Sequence, residues 1–124
     1  MVAQFGRDFD LVLSPTMATL PVPVGVLVDE ANADPEGPRL TEMRMVSFTS
    51  WVNLAGLPAV SLPVHVSPDG LPVGVQLVAG PWQEDVLIRV AASLEEAMPW
   101  ADRRPQAFAG QVRVRAAGPG TPVG

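Results

Sequence analysis

The chain is 124 residues long, enough for one domain, and at 48% hydrophobic it is too apolar for wholesale disorder. Its net charge is −5, all eight of its basic residues are arginine, and they form no basic stripe; such a chain is a poor nucleic-acid binder, because phosphate neutralisation supplies most of that affinity, and no nucleic-acid partner is expected. The absence of cysteine excludes disulfides, thiolate metal sites and cysteine nucleophiles, and 14 prolines with 11 glycines predict many short elements rather than a helical bundle.

Residues 1–8 carry no capping or cleavage pattern. Residues 9–13, FDLVL, read as a short buried strand closed by Ser14-Pro15-Thr16. Residues 9–28 are apolar enough to suggest a membrane span, but Asp10, Pro15, Pro21 and Pro23 interrupt it. Asp8 and Asp10 follow Arg7, so no unbroken apolar core of a signal peptide forms either. No membrane partner is expected, and the chain reads as soluble and cytoplasmic. Residues 20–28 mix prolines with valines and read as extended. Residues 29–38, DEANADPEGP, read as a solvated acidic loop, because carboxylates at 29, 30, 34 and 36 miss the spacing of a calcium loop.

Residues 41–54 read as one helix, with Thr41 as a possible N-cap and Leu40, Met43, Val46 (or Ser47), Trp51, Leu54 and Ala55 forming its apolar face. Gly56 stands where a helix C-terminal glycine belongs, and Pro58 stops the helix from resuming. Ala59-Val60-Ser61-Leu62, bracketed by Pro58 and Pro63, reads as a short buried strand. Ser67-Pro68-Asp69-Gly70 supplies turn chemistry and residues 71–79 return as a second strand, which together predict a hairpin. Residues 84–98 are the clearest helix. Leu87, Val90, Ala91, Leu94 and Met98 keep the 3.6-residue period, Glu84 and Asp85 suit the positive end of its dipole, and Pro99 ends it. That helix is expected to pack on the hairpin. The domain is read as residues 1–104 and residues 105–124 as a flexible tail, in which alternation over 111–115 would suit an edge strand.

Chemistry is scarce on these residues. Ser61 and the single histidine, His65, share a face of an ideal strand and stand about 13 Å apart, whereas a nucleophile and its base need contact near about 3 Å. They are not a dyad, and His65 reads as a surface or half-buried strand residue. One histidine and no cysteine leave only carboxylates for a metal, and none are spaced as ligands. Gly118-Pro119-Gly120 lacks the strand, lysine and helix of a phosphate loop.

Four blocks stand in a recognisable order: FDLVLSPT, NLAGLPAVSLP, DGLPVGVQLVAGP, and a helix ending in PWADRRP. In this order the chain resembles the C-terminal portion of the amidase signature family, over about residues 5–105. The resemblance implies an α/β fold, a partial mixed sheet with flanking helices, to which this chain adds three or four strands and two helices. It also implies hydrolysis of carbon–nitrogen amide bonds with neither metal nor organic cofactor. In the family the Pro-Thr loop lines the substrate pocket, which carries over to Thr16 and Met17. On the residues alone the same segment is equally a proline-containing strand-to-loop turn. The helix end before Gly56 would lie beside the substrate, giving Asn53 and Trp51, the latter as an apolar wall; an aromatic at helical spacing is otherwise most simply core.

The family's serine nucleophile, second serine and lysine base lie in its N-terminal half. Nothing here matches that segment, there is no lysine, and arginine does not deprotonate to replace one. No catalytic residue is therefore assigned. The resemblance implies a C-terminal fragment of an amidase, whose partner is the missing N-terminal half or a second copy of itself. It would meet a small amide substrate only in the intact enzyme. A non-catalytic interaction module, or fold remnant that binds a partner, is the second reading. The branch of the family that makes amidated tRNA places an acid a few positions before the Asn of NLAG; here those positions hold Met45-Val46-Ser47-Phe48, which points to a general amidase.

Overall fold

A strand of eight residues, Pro72–Ala79 (β3), sits at the centre of the sheet although it is the last of the three described strands in chain order. It is an almost unbroken apolar run, and Gln76, Leu77, Val78 and Ala79 are all buried, as a strand covered on both faces requires. Leu11–Pro15 (β1) and Ala59–Val66 (β2) pair antiparallel on either side of it, in the order β1-β3-β2. Among the described residues four α-helices complete the α/β architecture: Val26–Ala33 (α1), Leu40–Val46 (α2), Ser50–Ala55 (α3) and Glu84–Ala97 (α4). The computed structural model describes residues 2–104; the flexible tail and edge strand expected over 105–124 lie outside the described residues.

The two faces of β3 carry two clusters. On one, Leu62, Leu77 and Ala79 pack with Leu87 of α4, joined by Val60, Val75, Val90, Ala91, Leu94 and Trp100. On the other, Val78 packs with Val52 and Leu57, and Phe5, Val12 and Trp51 close around them. The helix read from its 3.6-residue period thus lies on the hairpin as expected.

The hairpin turn is the one its residues predict. Ser67 and Gly70 close it through a Gly70 N–H to Ser67 carbonyl bond of 2.9 Å, and the Ser67 hydroxyl accepts the Leu71 N–H at 3.1 Å. Gly70 has φ 81°, a left-handed conformation that costs a side-chain-bearing residue energy, most of all a β-branched one. A Cβ at this position meets nothing within 4 Å, so a substitution is penalised by the backbone alone. Gly70→Val is expected to cost about 1 kcal/mol or more, with Gly70→Asn recovering much of it. Thermal melts of the three chains check this, and a Val variant that melts with the parent contradicts it.

Several elements differ from the sequence reading, each for a local reason. The first strand starts at Leu11 rather than at Phe9, because the Phe9 carbonyl accepts the Gly6 N–H at 2.9 Å and the Phe5 and Phe9 rings meet edge-on at 5.0 Å. The segment read as extended and then as an acidic loop contains α1. Its sequence, VLVDEANA, holds neither proline nor glycine, and Asp29 lies in its first turn. The helix ends before Asp34-Pro35, since a proline disfavours helical backbone in the residue preceding it. Glu30 of α1 accepts the Thr41 N–H at 3.3 Å, and its hydrogen bonds with Thr41 hold its carboxyl below the ordinary value. That contact, and not a Thr41 side-chain cap, serves the start of α2, whose N-cap residue is Arg39.

The single helix expected over 41–54 is two. Between them the Ser47 and Thr49 hydroxyls donate to the Arg44 and Val46 carbonyls, at 3.0 and 3.2 Å, which favours a break. The apolar face expected on that helix also points elsewhere: Leu40, Met43, Val46 and Leu54 are exposed, and Val52 is the buried residue. The second strand runs on through Pro63 to Val66, past the stop expected there. Its register slips between Leu62 and His65, a bulge that accommodates a residue with no donor on an edge strand.

Candidate functional site

The face of the sheet opposite α4 carries a polar row that crosses all three strands. Ser14 of β1 and Ser61 of β2 both stand opposite Gln76 of β3. Gln76 is 4% exposed, so its amide needs partners, and it has them: it donates to the Ser14 hydroxyl at 3.2 Å and to the Phe48 carbonyl at 2.9 Å. The second bond ties the segment between α2 and α3 to the central strand.

Two residues before Gln76, the Gly74 carbonyl accepts the Thr16 N–H at 3.1 Å. Above that glycine the Thr16 and Ser61 hydroxyl oxygens stand 2.7 Å apart, one hydrogen-bonded to the other. The glycine makes this meeting possible. A Cβ at position 74 would lie 2.8 Å from Thr16 Oγ1 and 2.9 Å from Ser61 Oγ.

The hydroxyl pair borders two cavities. One, of about 440 Å³, continues from Thr16 and Ser61 over Met17, Leu20, Pro63 and Pro72. The other, of about 330 Å³, runs from the same two residues toward Asn53, Thr49 and Gln76. No charged side chain lines either cavity among the described residues. Of the four residues nominated from the sequence, Thr16 lines both cavities, Met17 the first and Asn53 the second. Trp51 lines neither and instead packs against Val52, Leu57 and Val78. Ser61, Gly74 and Gln76 were missed as members of this site.

His65 does not belong to it. Ser61 opposes Gln76 and His65 opposes Val73, three residues apart on β3, so the bulge turns the two side chains to opposite faces. The shared face expected for an ideal strand is thereby corrected. His65 borders a separate cavity with Trp100 and Arg103. Among the described residues no group of three or more acidic or histidine side chains gathers as metal ligands, and no helix is long and apolar enough to cross a membrane. The lowered carboxyls, Asp8 through its hydrogen bond with Arg7 and Glu30 through Thr41, line neither cavity.

The Amidase family model matches residues 1–88. The chain is similar to the 6-aminohexanoate-cyclic-dimer hydrolase of Pseudomonas sp. (strain NK87), with 43% identity over 102 residues, covering 79% of this chain and 21% of that protein. A solved structure of 6-aminohexanoate cyclic dimer hydrolase complexed with substrate superposes with a TM-score of 0.71 at 42% identity, over 79% of this chain and 21% of that one. A glutamyl-tRNA(Gln) amidotransferase subunit from Thermotoga maritima superposes with a TM-score of 0.64 at 31% identity, covering 80% and 20%. The chain thus spans about a fifth of the length of the relatives it matches.

Proposed function

This chain belongs to the amidase signature family, and from that premise we propose that it forms the C-terminal part of an amidase that hydrolyses carbon–nitrogen amide bonds. Residues 1–104 are the contributing unit. They complete the sheet and supply one wall of the amide pocket, built on Thr16, Met17 and Asn53, while the serine nucleophile, second serine and lysine base reside outside these 124 residues. The observation that carries this reading is the joint agreement of sequence and fold with a solved hydrolase, 42% identity at a TM-score of 0.71.

Two further features support it. Val28, Leu40, Met43, Val46 and Leu54 form apolar surface on the helices, which suits contact with the rest of a larger domain or, failing that, with a second copy. The higher identity to the cyclic-dimer hydrolase than to the tRNA-linked amidotransferase, with no acid at Met45-Val46-Ser47-Phe48, favours a general amidase over the tRNA-amidating branch.

A chimera tests the proposal: residues 5–104 of this chain replace the matching segment of the cyclic-dimer hydrolase. The chimera is expected to fold and to hydrolyse at least one member of a panel of aryl and alkyl amides. A chimera that melts cooperatively but turns over none of them removes the pocket-wall role, and one that does not fold removes the role in completing the sheet.

A further inference from the structure

We propose that the cavity between the hairpin and the segment after α4 binds a small aromatic carboxylate, held by Arg103, Arg104 and His65 against Trp100. The inference is independent of the amidase reading, since this cavity shares only Pro63 and Pro72 with those bordered by Thr16. In a chain of net charge −5, two of the eight arginines and the only histidine gather around one hollow. The acids nearest to them in sequence, Asp69 and Asp102, do not border it.

The fold fixes two of these groups in place. Pro63 lies in the β2 bulge, between Leu62 and His65, and its carbonyl accepts an Arg103 Nη1–H at 3.1 Å. That bond spends one of the five guanidinium donors on a neutral acceptor, so it positions the positive charge without neutralising it. The Arg103 N–H to Trp100 carbonyl bond of 2.9 Å turns the chain so that both side chains border the same hollow. Trp100 packs against the cluster of Leu62, Leu77 and Leu87, which restrains its indole.

The chemistry of the lining selects the ligand. A guanidinium fork matches the two oxygens of a carboxylate, and the His65 ring offers a further N–H donor in either protonation state. Trp100, Val66, Pro63 and Pro72 supply an apolar wall for a ring. Indole and guanidinium planes both stack on aromatic faces. The volume, about 450 Å³, is that of a pocket for a small ligand.

The test titrates the whole isotope-labelled chain with benzoate, with acetate as the charge without the ring, and with benzyl alcohol as the ring without the charge. Benzoate is expected to shift the Trp100 indole N–H and the backbone signals of His65, Val66 and Arg103 along one saturating curve, with a dissociation constant on the order of a millimolar. Acetate and benzyl alcohol should each bind at least about tenfold more weakly, since each lacks one half of the contact. Arg103→Gln should weaken benzoate binding about tenfold, and His65→Ala should weaken it to a smaller extent. Arg89→Gln, which removes the same charge from α4 outside the cavity, should leave it unchanged. All three positions are exposed, so the variants are expected to fold, and a thermal melt of each verifies it. Absent or unsaturable shifts, equal affinity for acetate or for benzyl alcohol, unchanged affinity in folded Arg103→Gln, or an equal loss in Arg89→Gln each overturn the site. Should Arg103→Gln not fold, unchanged affinity in His65→Ala overturns it instead.

Discussion

No saturable amide hydrolysis is expected from this chain by itself, and no serine in it is expected to react stoichiometrically with a fluorophosphonate probe. Loss of a nucleophile or its base from a serine hydrolase costs about a million-fold in turnover, and what remains comes from oxyanion donors and binding. The six serines, Ser14, Ser47, Ser50, Ser61, Ser67 and Ser93, have no lysine available anywhere in the sequence. The only histidine faces away from the best placed of them, since the β2 bulge puts Ser61 and His65 on opposite sides of the sheet. The hydroxyl nearest Ser61 belongs to Thr16, which does not serve as a base at neutral pH. Turnover that follows the protein through purification, with one serine labelled, would refute this. Replacing His65 would then be the first step toward finding the base.

Leu77→Ala is expected to lower stability by about 2–5 kcal/mol, whereas Leu13→Ala stays within about 0.5 kcal/mol of the parent. The two leucines stand directly opposite each other on β3 and β1 and so share a face of the sheet. Leu77 is 2% exposed, in the cluster that α4 covers, while Leu13 is 66% exposed at the uncovered margin. Truncating the first leaves a cavity among close-packed neighbours; truncating the second removes a group already in water. A domain of ordinary stability holds only about 5–15 kcal/mol, so Leu77→Ala should bring this one close to unfolding. Urea unfolding of both variants makes the comparison. Similar losses would mean that the face beyond α4 is not open.

What was readable in the sequence follows from how local its cause is. The Ser67-to-Gly70 turn and the α4 stripe are written in neighbouring residues, so turn chemistry and periodicity were enough to place them. Gly56, with φ 62°, ends α3 as a left-handed glycine, again from local signals. The break between α2 and α3 involves a partner that lies far away in the chain, since the Gln76 amide reaches the Phe48 carbonyl across 28 positions. α1 was hidden by its composition: acids and alanine beside Pro35 look like a loop until Gly25 and the Glu30–Thr41 contact are seen.

The candidate site divides along the same line. Thr16, Met17 and Asn53 were reached only through the family resemblance, because nothing in their spacing points to a cavity. Ser61 and Gln76 become neighbours through strand register. Counting back from the hairpin turn would have misplaced them by one residue, because the bulge between Leu62 and His65 changes which face each side chain takes. Gly74 gave no signal as a single glycine in a strand, and its role appears only where two hydroxyls converge over it.

The central strand is also the last of the described strands to be synthesised, and this sets an order of events. While the ribosome is producing β1, α1, α2 and α3, the residues that will pair with β1, such as Val75 for Pro15, do not yet exist. The β2–β3 hairpin closes across a short turn and can form within microseconds of its release. Joining β1 to it then closes a much longer loop, an entropic cost that must be met before the contact contributes. The hairpin is therefore expected to form before β1 joins it, and a change that slows the Ser67-to-Gly70 turn should delay the whole sheet, which stopped-flow refolding of a turn variant checks.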